Sequence, residues 1–149
     1  MNKCCNLSPV AYDAYVTSVA VSVSGSISHG TPQEQALDWL KEEVDYCECD
    51  PDDCKIYERY SLAVFYFTTS NQPEPWSKCG MPDDLDDPAS IAAANAACDI
   101  TTTTIPPMLD IGLLDEGTNA WLTPVDACTW AGIVCRQTSK YVDRIEFGK

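Results

Sequence analysis

The part of the sequence that most constrains the fold lies near its end and reads Cys128-Thr129-Trp130-Ala131-Gly132-Ile133-Val134-Cys135. The two cysteines are seven positions apart, and a disulfide between them would close a tight loop. The indole of Trp130 is large and apolar, so burying it would hold that loop against a core. We therefore predict a disulfide between Cys128 and Cys135 beside a buried tryptophan.

A short strand is predicted directly after this loop. From Asp143 onward polar and apolar residues alternate, which places Ile145 and Phe147 on one face. An unpaired strand with an apolar face is a liability unless something covers it. We predict that this terminal strand docks onto a partner protein or a second copy of the chain through Tyr141, Val142, Ile145 and Phe147. The alternative is that it pairs with an internal strand near Ile133-Val134.

The nine cysteines favour disulfides over a metal site. Zinc and iron–sulfur sites need regular Cys-x-x-Cys or Cys/His pairs, none occurs, and the single histidine, His29, is far in sequence from every cysteine. We expect no metal and no other cofactor. The cysteines assigned to disulfides, with their connectivity left open apart from the terminal pair, are Cys47, Cys49, Cys54, Cys79, Cys98, Cys128 and Cys135. The odd count leaves one cysteine over, for which Cys4 and Cys5 are the candidates.

The number of cysteines and the net charge restrict the cellular compartment of the chain and the classes of partner that it can bind. Disulfide-rich domains belong to oxidising compartments, so we predict an extracellular or lumenal location. There is no clear signal peptide, and no stretch approaches the roughly 20 apolar residues of a membrane span. The chain has 23 acidic and 9 basic side chains, a formal net charge of −14, and no Lys/Arg cluster. Nucleic acid and anionic lipid are therefore poor partners, and we expect no nucleic acid to bind.

Signals for helix starts divide the rest of the chain, and they predict a mainly α fold with a short β element. A first helix begins at Ser8-Pro9 and ends near Ser24-Gly25, with a predicted apolar stripe of Val10, Ala11, Ala14, Tyr15 and Val19. A second begins at Thr31-Pro32, where Glu34 is expected to reach back to the Thr31 amide as a capping box. Two more are predicted from Asp52 or Asp53 to Thr69, and from Asp87-Pro88 to Cys98.

The chain length predicts a single domain over residues 1–149, in which residues 1–30 form an N-terminal helical extension. Three stretches of the remainder follow one another in a distinctive order: Thr31 to Leu40, Glu58 to Thr69, and Ala120-Trp121-Leu122 followed by Cys128-x-Trp130-x-Gly132-Ile133-x-Cys135. From about Gly30 onward, this order resembles the N-terminal capping domain of leucine-rich-repeat proteins of the plant receptor-like and diatom type.

The resemblance implies a small helical capping domain held by disulfides, with Trp130 and Gly132 in structural roles. In that family the cap shields the hydrophobic end of a solenoid, and its last strand begins the sheet that carries the binding surface. The repeats themselves, with the pattern L-x-x-L-x-L-x-x-N, do not occur in this chain.

No catalytic constellation emerges from the sequence, and we predict that the chain is not an enzyme. His29 lies in a Ser-His-Gly turn, which is typical of a solvated loop residue. Two acidic runs, near Asp50 to Asp53 and Asp83 to Asp87, lack the glycine and ligand spacing of an EF-hand, so calcium is only an alternative. The main hypothesis is an interaction or structural cap. An accessory subunit of a larger assembly, such as a membrane or organellar one, is the alternative, and a cysteine-rich hydrolase or binding protein ranks last.

Overall fold

The computed structural model describes residues 7–43, 55–72, 76–100 and 112–146, and it forms two compact units, Met1–Pro75 and Trp76–Lys149. The fold is mainly helical, with a two-stranded antiparallel sheet near the C-terminus and two disulfides in the described part. The first unit contains α1 (Pro9–Ser24), α2 (Pro32–Glu42) and α3 (Lys55–Ser70). The second contains α4 (Pro88–Ala97), a 3-10 turn (Ala127–Thr129), β1 (Ile133–Cys135) and β2 (Val142–Ile145).

The predicted helix starts are confirmed where the structure describes them. Ser8, Thr31 and Asp87 each accept a backbone N–H with their side chains, and a proline occupies the first position of α1, α2 and α4. One detail of the capping box is wrong. Glu34 does not bond back to the Thr31 amide, because its carboxylate reaches one residue further and accepts the Gly30 amide at 2.7 Å. The predicted start of α3 at Asp52 or Asp53 lies outside the described residues.

The predicted apolar stripe of α1 is confirmed at Val19 and is wrong in its other four residues, which are not buried. The buried residues are Tyr12, Val16, Val19 and Ala20, whereas Val10 is 81% exposed. Nearly every residue of α1 is apolar or small, so the spacing of its apolar residues does not single out one face. α1 packs by this buried face against α2 and α3. The hydroxyl of Tyr12 donates to the carbonyl of Leu40 at 3.3 Å, and burial raises the pKa of Tyr12 to about 12.

The core of the first unit contains a charged pair that joins α3 to the residue after α2. The guanidinium of Arg59 donates through two nitrogens to the carboxylate of Glu43, with Nε at 2.8 Å. Both residues are at least 97% buried, and the guanidinium carbon of Arg59 lies 5.2 Å from the ring centre of Trp39. Neither residue was singled out from the sequence, because nothing local connects two charges 16 positions apart.

In the second unit, two disulfides hold loops around a tryptophan cluster. Cys79 bonds to Cys98 and Cys128 bonds to Cys135, which confirms the predicted loop and pairs two cysteines whose partners the sequence left open. Trp121 and Trp130 are fully buried, with ring centres 5.6 Å apart. The other cysteines assigned to disulfides, at positions 47, 49 and 54, lie outside the described residues.

Candidate interaction site

Strand β1 is hydrogen-bonded along one side to the segment 113–119. The amide of Leu114 donates to the carbonyl of Cys135 at 2.8 Å, and the amide of Gly117 donates to the carbonyl of Ile133 at 3.0 Å. Further along, this segment runs parallel to residues 130–131 through isolated bridges. The sequence gives no sign of this pairing, because the segment has no alternation of polar and apolar residues to mark it as strand-like.

The other side of β1 is paired with β2. The two strands are antiparallel, with Ile133 opposite Ile145 and Val134 opposite Arg144. The predicted unpaired terminal strand is therefore wrong, and the internal pairing near Ile133-Val134 is what the structure shows. The reason is the short connection after β1, which returns the chain at once beside the strand it has just left. Phe147, the last predicted contact residue, lies outside the described part.

The outer edge of β2 is defined by the direction of its backbone groups. The amide of Glu146 donates to the carbonyl of Gly132 at 2.6 Å, so Glu146 turns its backbone towards β1. Backbone groups alternate along an antiparallel pair, so the N–H and C=O of Ile145 point away from β1. In the part of the chain that the structure describes, the sheet has two strands. Ile145 thus presents one donor and one acceptor at the edge.

A bulge limits this edge on the N-terminal side. Val134 lies opposite Arg144 while Cys135 lies opposite Val142, which leaves Asp143 as an extra residue in β2. A bulge disrupts the regular ladder and bends the strand. Within the described residues, regular edge pairing is therefore confined to residues 144–146. Of the predicted contact residues, the side chains of Tyr141, Val142 and Ile145 are half-buried.

Positive and negative side chains alternate around this edge. Nε of Arg144 donates to the carboxylate of Glu146 at 2.5 Å, and Nε of Arg136 donates to Asp143 at 3.0 Å. Partial burial and the neighbouring Glu146 carboxylate raise the pKa of Glu116, and Arg144 partly offsets this. One short stretch of β2 thus carries both signs of charge next to Ile145.

Trp130 and Gly132, the two residues predicted to be structural in this region, lie immediately before β1. Gly132 has a φ of 77°, and a Cβ added to it would lie 2.2 Å from the carbonyl oxygen of Glu146. Only glycine therefore allows β2 to approach β1 this closely. The Nε1–H of Trp121 donates to the carbonyl of Ala131 at 2.8 Å, and the amide of Trp130 donates to the carbonyl of Ala127 at 3.1 Å.

The remaining predicted residues lie elsewhere. His29 is exposed, as the sequence indicated, and its Nδ1 lies 3.0 Å from Glu34 Oε1. Glu34 raises the pKa of His29, while the Gly30 amide and His29 lower the pKa of Glu34. Within the described residues, no three His, Cys, Asp or Glu side chains are placed to hold a metal ion. None of the described helices is long and apolar enough to cross a membrane.

Comparisons with protein-family models, with curated proteins and with solved structures find no match to this chain.

Proposed function

We propose that this chain is a non-catalytic interaction module, resembling the N-terminal cap of an extracellular leucine-rich-repeat protein, that accepts a strand of a protein partner on the outer edge of β2. The observation that carries the proposal is the outward direction of the Ile145 backbone, because the hydrogen bond from the Glu146 amide to the Gly132 carbonyl fixes that direction. Addition of a strand to a sheet edge is a recurrent mode of protein recognition.

The asymmetry of the sheet also supports a capping role. β1 is hydrogen-bonded on both sides, to the segment 113–119 and to β2, so within the described residues an added strand cannot pair with β1 itself but can pair with the outer edge of β2. A cap has this property, because it closes one end of an assembly and offers the other end for continuation. The Cys128–Cys135 disulfide and the buried Trp130 hold β1 in place beside β2.

The proposal is tested by removing the outward N–H without touching the β1–β2 ladder. Ile145→Pro does this, since proline lacks the N–H and is tolerated at a sheet edge whose N–H faces outward. Peptides are first selected from an unbiased phage-displayed library on the wild-type protein. We expect those that bind at this edge to lose at least about tenfold in affinity for Ile145→Pro, because backbone hydrogen bonds supply affinity in strand addition.

Ile145→Val is the matched control, because it keeps the N–H and the preference for extended backbone. It should bind the selected peptides as the wild type does. Amide hydrogen exchange should show that a bound peptide protects Ile145 in the wild type. If every selected peptide binds Ile145→Pro and wild type equally, the edge of β2 is not a docking site and the proposal is wrong.

The extracellular or lumenal location is part of the same proposal. The two disulfides are its support, because such bonds persist in oxidising compartments. Counting free thiols in the native protein by mass spectrometry provides the test. One free thiol is expected from the odd number of cysteines, and five or more would contradict a disulfide-bonded secreted module.

A further inference from the structure

We infer that the strand accepted by β2 is β2 of a second copy of this chain, in an antiparallel pairing with the two Ile145 residues opposite each other on a twofold axis. The inference rests on the proposed function, because it uses the same outer edge. What it adds is the identity of the partner and the register of the contact.

The register follows from the backbone. In an antiparallel pair related by a twofold axis, two outward-facing Ile145 residues exchange both of their N–H···O=C bonds. Arg144 and Glu146 lie on either side of Ile145, so Arg144 of each copy comes to lie opposite Glu146 of the other. Opposite charges at directly opposite positions stabilise a sheet. The contact therefore contains two such charge pairs around one apolar pair.

The neighbouring registers are unfavourable. A register centred on Arg144 would place two guanidinium groups opposite each other, and registers centred on Glu146 or Asp143 would do the same with two carboxylates. Like charges directly opposite destabilise a strand pair. Asp143 is also the extra residue of the bulge, which interrupts regular pairing at that point. Among registers centred on the described residues 143–146, the one centred on Ile145 is the one that satisfies both the backbone and the charges.

The order of charges along β2 is what selects a second copy as the partner. Arg144 lies one residue before Ile145 and Glu146 one residue after it. A twofold rotation about Ile145 therefore places the cation of each copy opposite the anion of the other. A uniformly basic or uniformly acidic strand would satisfy one of the two side chains and oppose the other. This local complementarity is notable in a chain of net charge −14, which otherwise repels its own copies. Each copy contributes only three residues to the strand pairing, so the dimer is expected to be weak.

Charge reversal combined with mixing tests the inference. Sedimentation equilibrium of the wild-type chain, at concentrations up to about 1 mM, should show a monomer–dimer equilibrium typical of a small interface. Arg144→Glu and Glu146→Arg should each weaken self-association at least about tenfold, since each turns both attractive pairs into repulsive ones. An equimolar mixture of the two variants should associate again, because one variant then carries two acids where the other carries two bases.

Two internal controls make this test specific to the proposed register. Each variant also breaks the pair between Arg144 and Glu146 within one strand, but mixing cannot repair a pair inside a chain. Net charge changes in opposite directions in the two variants, so general repulsion predicts that Glu146→Arg associates more strongly than wild type. The proposed register predicts that both associate more weakly. Circular dichroism confirms that each variant keeps the helical fold.

The possible results separate the two proposals. A wild-type chain that stays monomeric throughout the concentration range, or a mixture that associates no better than its components, overturns the second-copy inference. If Ile145→Pro nevertheless abolishes peptide binding in that case, the docking edge stands and only its partner is different. If Ile145→Pro leaves both peptide binding and self-association unchanged, the edge itself is wrong and both proposals fall.

Discussion

Replacing Gly132 by alanine tests the close approach of the two strands. Alanine at position 132 would lower the free energy of unfolding for two separate reasons. Its φ of 77° lies in the left-handed region, where an L side chain costs about 1–2 kcal/mol. The added Cβ would also lie 2.2 Å from the Glu146 carbonyl oxygen, and this atom belongs to backbone that cannot move without displacing β2.

Two other glycines of the same unit separate these costs. Gly112 has a φ of 92°, and a Cβ added there would meet no atom within 4 Å, so Gly112→Ala carries the backbone cost alone, about 1–2 kcal/mol. At Gly117, where φ is not in the left-handed region, a Cβ would lie 2.1 Å from the Trp130 carbonyl oxygen, so Gly117→Ala carries the steric cost alone, about 1–3 kcal/mol. Gly132→Ala should cost roughly their sum, about 2–5 kcal/mol.

Urea denaturation followed by tryptophan fluorescence measures all three variants. The buried Trp121 and Trp130 report on the unit that contains these glycines. We expect Gly132→Ala to lose more free energy of unfolding than either single-cost variant. If Gly132→Ala and Gly112→Ala lose the same amount, the close contact with Glu146 contributes nothing, and the account of the β1–β2 approach is refuted.

Three further predictions concern the first unit. Arg59→Met should lower the free energy of unfolding by about 3–5 kcal/mol in chemical denaturation, because Glu43 stays buried without its guanidinium partner; Arg59→Lys should lose less, since it keeps the charge. In NMR titration the pKa of His29 should lie above 6.5, and it should fall in Glu34→Gln. Because the pKa is raised in the folded state, the His29–Glu34 interaction stabilises the fold below pH 6.5, and this contribution is lost as pH rises through the raised pKa. Tyr12 has a raised pKa of about 12, so stability should decrease between about pH 10 and 12, and Tyr12→Phe should lack this decrease while other tyrosines still titrate.

Sequence reasoning succeeded where the signal was local. The starts of α1, α2 and α4 depend on a capping side chain and a proline at adjacent positions, and all three are confirmed. The Cys128–Cys135 loop is confirmed for the same reason, since its partners are only seven residues apart. These features are decided by neighbours along the chain, which a sequence displays directly.

Features decided by distant residues were either not predicted or were given only as an alternative. Whether β2 pairs with β1 depends on the path of the connecting turn, and the alternation of polar and apolar residues is the same in a paired and an unpaired strand. The pairing of Cys79 with Cys98 could not be chosen among the many connectivities that nine cysteines allow. The direction of the Ile145 backbone depends on that same strand register, so this part of the candidate site required the structure.

The position of β1 between a segment that precedes it and a strand that follows it has a consequence for folding order. The Cys128–Cys135 loop spans seven residues, whereas the Cys79–Cys98 loop spans 19, and a shorter flexible loop costs less entropy to close. The local loop that carries β1 is therefore expected to form first and to act as a template for both neighbours. Newly made chains would pass through a stage at which the Cys128–Cys135 loop has closed and neither the segment 113–119 nor β2 has yet paired with the residues of β1. During that stage the residues of β1, which are buried and hydrogen-bonded on both sides in the folded protein, would be exposed to pairing with incorrect strands.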